Sequence, residues 1–217
     1  MQDDFGGNVI VSYSNSRSNN IRLYNREDKP FGVTWEEWTA RWWQWILSIP
    51  KDQNPGNDKT GRNFREQNDP HVLFLAGTHR LSGPAERTVT IPSNKAVLLP
   101  VVNFTISFAE NPNLKTESDL ISHARSNIDD IAKKEVNIDG IKIQNLDKYR
   151  VQSSIFTVTF PENNIYGVDP GPTKGISDGY WVFLKPLIPG NHNIHTFGSC
   201  LAGRVNIEVT YHLNVKE

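Results

Sequence analysis

The chain has one cysteine, Cys200, among 217 residues, so no intrachain disulfide can form. Within GSCLAG it reads as a small residue packed near a turn, since a catalytic thiol needs a base and an electropositive setting. Long apolar runs are also missing. The longest span about six residues, against the roughly 20 needed to cross a bilayer. The net charge is −1 and no block of like charge reaches five or six residues, which excludes an electrostatic footprint for nucleic acid or an anionic membrane. The opening residues MQDDFGGN lack the basic and apolar regions of a signal peptide, the pattern of a cytoplasmic protein or of a mature form without its leader. No GxSxG, HExxH, phosphate-binding loop or dinucleotide fingerprint occurs.

What remains is aromatic. Apolar content is 37% and mean hydropathy −0.51, low for a packed domain, yet the aromatic residues keep the chain out of the disordered class. Five of the six tryptophans fall within Thr34 to Pro50, TWEEWTARWWQWILSIP. At 3.6 residues per turn Trp35, Trp38, Trp42 and Trp45 share a stripe with Ile46 and Ile49, and Glu37, Arg41, Gln44 and Ser48 line the other side. Thr34 with Glu37 forms a capping-box pattern, Glu37 and Arg41 an i,i+4 pair, and Pro50 stops the helix. The spacing predicts a helix over 35–48 that fills the core. Trp43 lies off the stripe beside Leu47, and is the indole expected to reach a ligand or partner.

Residues 1–30 are polar and read as an arm or as edge strands at Val9 to Tyr13 and Ile21 to Tyr24. Residues 51–70 form a polar loop rich in turn signals. The period then shifts to two. Strands are predicted at Val72 to Ala76, Thr88 to Ile91, Ala96 to Val102, Val151 to Phe160, Tyr180 to Leu187, Asn193 to Phe197 and, most cleanly, Val205 to Val215. A second helix is expected over 119–134, capped by Ser118 or Thr116, with Leu120, Ile121, Ala124, Ile128 and Ile131 apolar, and with Asp129–Lys133 and Asp130–Lys134 pairs. Asp139-Gly140 marks a two-residue hairpin. The expected architecture is mainly β (α+β): an antiparallel β-sandwich or jelly-roll-like core carrying two amphipathic helices, one domain over 31–217.

Several phrases belong together: WWQWILSIP, NPGNDKTG, VLFLAGT, IPSNKAVLLPVVN, DGIKIQNLDKYRVQS, and SDGYWVFLKPLIPGNHNIH followed by VTYHLNV. Over residues 32–215 the chain resembles an uncharacterised family of usually exported prokaryotic proteins without an established activity. The resemblance implies an extracytoplasmic setting and no reaction. Where relatives often carry a cysteine pair, this chain reads Arg62-Asn63-Phe64-Arg65 and Arg87-Thr88-Val89, so a loop staple is missing.

Candidate sites stand against plainer readings. The tryptophan stripe is a glycan platform or, more simply, core. His192, His195 and His212 offer three imidazoles for zinc, but residues three apart on a strand face opposite ways. Asp52, Asn54 and Asp58 offer oxygen ligands for calcium, without EF-hand spacing; Asx turns explain them too. His71 and His79 flank a predicted strand. Asp139-Gly140 and Asp178-Gly179 read as turns. The sequence therefore favours a non-catalytic, exported or surface-associated binding or structural module with a glycan or protein partner and no cofactor. The rivals are a hydrolase using His71 or His192 with Asp58 or Asp178, and a subunit docking through Trp43 and the arm.

Overall fold

The computed structural model describes residues 21–65, 67–79, 83–201 and 206–217. Two five-stranded sheets carry two helices. In chain order these are α1 (Trp35–Leu47), β1 (Val72–Phe74), β2 (Ala85–Pro92), β3 (Ala96–Ser107), α2 (Glu117–Asp129), β4 (Ile131–Ile138), β5 (Ile141–Lys142), β6 (Arg150–Gln152), β7 (Phe156–Phe160), β8 (Gly171–Leu184), β9 (Gly190–Cys200) and β10 (Asn206–Lys216). Sheet A runs β1-β3-β8-β6 with β7 also on β8, and sheet B runs β2-β10-β9-β4-β5. The interior of each sheet is antiparallel, but β1 pairs β3 and β2 pairs β10 in parallel. The mainly β, two-helix architecture is thus as expected, with mixed rather than wholly antiparallel sheets.

The α1 stripe packs on one face of sheet A. Trp35, Trp38, Trp42 and Ile46 are buried and Trp45 half-buried. Trp42 meets Trp181 edge-on at 5.2 Å, and Trp35 and Trp38 meet Phe183 at 5.5 and 6.0 Å. Such geometry adds about 0.5–1.5 kcal/mol per pair beyond burial. Thr34 Oγ1 accepts from Glu37 N, while the Glu37 carboxylate is taken by Arg41. Trp43, expected to be accessible, is 6% exposed, because the helix is covered on more than one side.

The opposite face of sheet A meets sheet B. A Cβ on Gly198 of β9 would lie 2.5 Å from Val102 Cβ, so only glycine permits this approach. Farther along, α2 lays Leu120 and Ala124 against Ile106 and Ile176. Thr116 and Asp119 cap α2 reciprocally. The helix stops at Asp129, not near 134: Ile131 opens β4, whose pairing to β9 overrides helix propensity. The lysines expected to pair along the helix instead reach Glu135 (Lys133) and Asp147 (Lys134), and Asp129 pairs with Arg150.

Val151 to Phe160 is two strands, β6 and β7, separated by residues 153–155, rather than one. Asp139 (φ 51°) and Gly140 (φ 84°) form the predicted hairpin turn with both residues left-handed. Asp178-Gly179 is no turn; it lies inside β8. Of the expected edge strands, Val9 to Tyr13 lies outside the described residues and Leu23 makes one isolated bridge to Leu184. Among the described residues no helix is long and apolar enough to cross a membrane.

Candidate functional site

A cleft of about 870 Å³ opens between the C-terminal half of α1, β3 and the start of β10, in the size range of small-molecule and short-segment sites. Trp42, Trp43 and Ile46 form one wall. Asn103 to Ile106 of β3 line it as well, with Glu110, Glu208, His79 and Tyr166, and the rings of His79 and Tyr166 lie 5.0 Å apart.

The walls are held by buried polar anchors. Asn54, fully buried, donates from Nδ2 to Ile46 O and Ile49 O at 2.6 and 3.2 Å and accepts from Gly56 N at 2.9 Å. It satisfies carbonyls left over at the end of α1 and fixes Gly56 in the cleft wall. Arg87, 1% exposed, donates to Asp58 O (2.8 Å), Ala76 O (2.6 Å), Gly77 O (3.0 Å) and Tyr211 Oη (2.7 Å). Tyr211 Oη also accepts from Ala76 N at 3.0 Å and donates to Ala76 O at 2.9 Å. Burial pushes the Tyr211 phenol up, and neighbouring Arg87 only partly opposes it. Asn164 ties the Tyr166 loop together through Pro161 O, Val168 O, Tyr166 N and Val168 N.

The cleft itself is less satisfied. Trp35 Nε1 donates to Asn25 O, Trp38 Nε1 to Pro30 O and Trp42 Nε1 to Leu75 O, at 2.9–3.0 Å. Trp43 Nε1 has no acceptor, nor do Asn103 Nδ2 and Thr105 Oγ1 have partners, though each atom is buried and each residue lines the cleft. Gln152 Nε2, Ser177 Oγ and Trp181 Nε1 are unpartnered elsewhere. A buried donor without a partner costs about 1–3 kcal/mol, and three such groups in the lining single this cavity out as the candidate site.

The residues singled out from sequence are dispersed. His71 is exposed and its ring stacks on Phe31 at 4.7 Å. His192 is buried with Nδ1 2.6 Å from the Asp139 carboxylate and Nε2 2.9 Å from Ile188 O, so its ring bridges the hairpin turn to the segment before β9 as a structural clip. His195 bonds Glu208 at 3.1 Å, and His212 bonds Asn193 and Glu86. His192 faces inward on β9 and His195 outward, so the zinc trio is not assembled; among the described residues no group of three His, Cys, Asp or Glu could hold a metal. Asp178, 1% exposed, takes a two-point bond from Arg150 at 3.1 and 2.8 Å. The Asp178 hydrogen bond, opposed by desolvation and helped by Asp129, pushes the Arg150 guanidinium up.

The calcium trio is spent on protein donors. Asp52 accepts from Asn163 Nδ2, Asn54 from Gly56 N, and Asp58 from Thr60 N, Thr60 Oγ1 and Asn63 N at 2.8–2.9 Å. Desolvation raises the Asp58 carboxyl, but those donors together outweigh it and hold it below the usual range.

Sequence reasoning missed Asn103, Thr105, Arg87 and Glu208. For the first two a signal existed: polar residues at i and i+2 within the apolar run AVLLPVVNFTIS.

No protein-family model and no curated protein matches the sequence. Two solved structures show a slight likeness. One is titled PbICP-C in complex with falcipain-2, at 10% identity and a TM-score of 0.27, covering 67% of this chain and 99% of that one. The other is the cysteine protease inhibitor EhICP2 from Entamoeba histolytica, at 14% identity and 0.26, covering 68% and 100%. Neither is close enough to carry a fold or a function across.

Proposed function

We propose that the protein is a non-catalytic binding module whose ligand sits in the cleft beneath Trp43. The observation that carries this reading is a contrast among the indoles of α1: Trp35, Trp38 and Trp42 donate to backbone carbonyls, while Trp43, which shares the cleft wall with Trp42, keeps its N–H unused, as do Asn103 Nδ2 and Thr105 Oγ1 of the same lining. A ligand offering acceptors would satisfy them. The exported setting rests on the family resemblance and is tested by fractionating cells that express the protein.

The test compares Trp43→Phe with Trp42→Phe. The first breaks no indole hydrogen bond in the free protein, so it should destabilise less than the second, which breaks the bond to Leu75 O. A ligand found by thermal shift with fragment, oligosaccharide and peptide panels should bind Trp43→Phe about three- to tenfold more weakly, the worth of one neutral hydrogen bond. A melting temperature unmoved by every panel member would sink the reading.

Hydrolysis is the second reading. Glu208 lines the cleft and its Oε1 lies 3.1 Å from His195 Nε2, a pairing a general base would use. Turnover of a generic ester, glycoside or peptide substrate that vanishes in His195→Ala would replace the binding role.

A further inference from the structure

β1 follows β3 only as far as Phe74 opposite Leu98. Leu75 N still reaches Leu98 O at 3.0 Å, and a Cβ on Gly77 would lie 3.4 Å from the Pro100 ring. There the two segments part. Pro100 has no N–H to pair, the ladder to β8 shifts register between Pro100 and Val102, and His79 N turns to Gly56 O at 2.9 Å.

Past this fork no described strand pairs with β3 on that side, and Asn103, Phe104, Thr105 and Ile106 line the cleft in succession. Successive residues of a strand point to opposite faces, so four in a row line one cavity only when it runs along the strand's edge. Across the cleft β10 does the same. β2 begins at Ala85 opposite Val209, and residues 206–208 line the cavity consecutively. The cleft occupies the place of a missing strand.

We infer that the cleft takes an extended peptide segment, which adds as a strand to the open edge of β3. The inference rests on the cleft being the ligand seat. An open edge presents backbone N–H and C=O groups at strand spacing, and only another peptide backbone carries the complement. Five residues of such a segment span roughly 17 Å. Trp43 Nε1 and Asn103 Nδ2 offer further donors for its carbonyl oxygens. Glu110 and Glu208 line the cleft and, among its described residues, no lysine or arginine does, which favours a segment bearing lysine or arginine. A neutral oligosaccharide would match the side-chain donors but leave the strand edge unused.

The experiment selects binders from a displayed library of random heptapeptides against the full chain and measures the best synthetic peptide by calorimetry. The expected result is binding by basic sequences. N-methylation of alternate peptide amides should weaken it about tenfold or more, with about twofold or less at the amides between, and amide exchange should slow at alternate residues of 102–107. Peptides that bind the cleft without this alternation overturn the strand pairing and leave the ligand seat standing. A library that yields nothing, while neutral oligosaccharides give a Trp43-dependent ligand, overturns it equally. If neither class binds, the ligand seat falls too.

Discussion

Replacing Tyr211 by phenylalanine removes one oxygen from the buried knot that shapes the cleft wall. The ring stays, so packing is nearly unchanged. Ala76 O keeps Arg87 as a donor, and Arg87 keeps its three carbonyl partners. The group left stranded is Ala76 N–H, in a residue 3% exposed, whose acceptor is Tyr211 Oη. An orphaned buried amide costs about 1–3 kcal/mol. Unfolding entropy near 2.1 cal/mol/K per residue gives roughly 0.46 kcal/mol/K for this length, so a loss of about 2 kcal/mol lowers Tm by about 4 °C. Urea unfolding should show a lower midpoint with an unchanged slope. The pH dependence supplies a second signature. Burial raises the folded phenol above the unfolded value near 10, so as pH climbs past 10 the unfolded chain loses its proton first and stability falls until the folded phenol also ionises. The phenylalanine variant lacks this loss, so the gap between the two proteins should narrow above pH 10. A Tm within about 1 °C of the parent's at neutral pH, with parallel alkaline limbs, would refute the assignment of the hydroxyl as the anchor of Ala76.

Asn54→Ala should cost about 2–4 kcal/mol in chemical denaturation, because it strands Ile46 O and Gly56 N together, and ligand binding should weaken with it since both residues line the cleft. His192→Ala should cost about 2–4 kcal/mol by removing the buried ring that bridges the Asp139 carboxylate and Ile188 O, and a wild-type melting curve would show the clip to be idle. In Asp58→Asn, acid unfolding should change shape. The parent holds this contribution above the unfolded carboxylate range and loses it as pH falls through the depressed folded value, whereas the amide variant should be less stable at pH 7 and show a shallower acid limb. Identical acid limbs would count against the turn donors as the cause.

Parts of the fold were legible because their signals are local. The stripe of α1 follows from 3.6-residue spacing and a cap at Thr34, and β10 follows from alternation, buried at Val209, Tyr211, Leu213 and Val215. Asp139-Gly140 needs two left-handed residues and has them. Where local preference met a partner strand, the partner won. Ile131 to Lys134 suit a helix, yet the open edge of β9 takes them into a ladder. Asp178-Gly179 looks like a turn, yet it lies in the ladder opposite Asn103 and Phe104, where glycine is needed because a Cβ would come 2.4 Å from Asn103 Cβ and where Arg150 neutralises the buried aspartate.

The amino-acid order by itself determined the aromatic helix, the alternating strands and the turns between them, because side-chain period and capping chemistry act over a few residues. Which indole N–H would go unpaired, where β1 would leave β3, and that Trp43, Asn103 and Glu208 would share one cavity were decided only by tertiary structure. Those facts depend on which backbone edges meet, and that is set by packing between segments distant in the chain, from Val72 against Ala96 to Trp43 and Glu208 around one cavity, on which no local period reports.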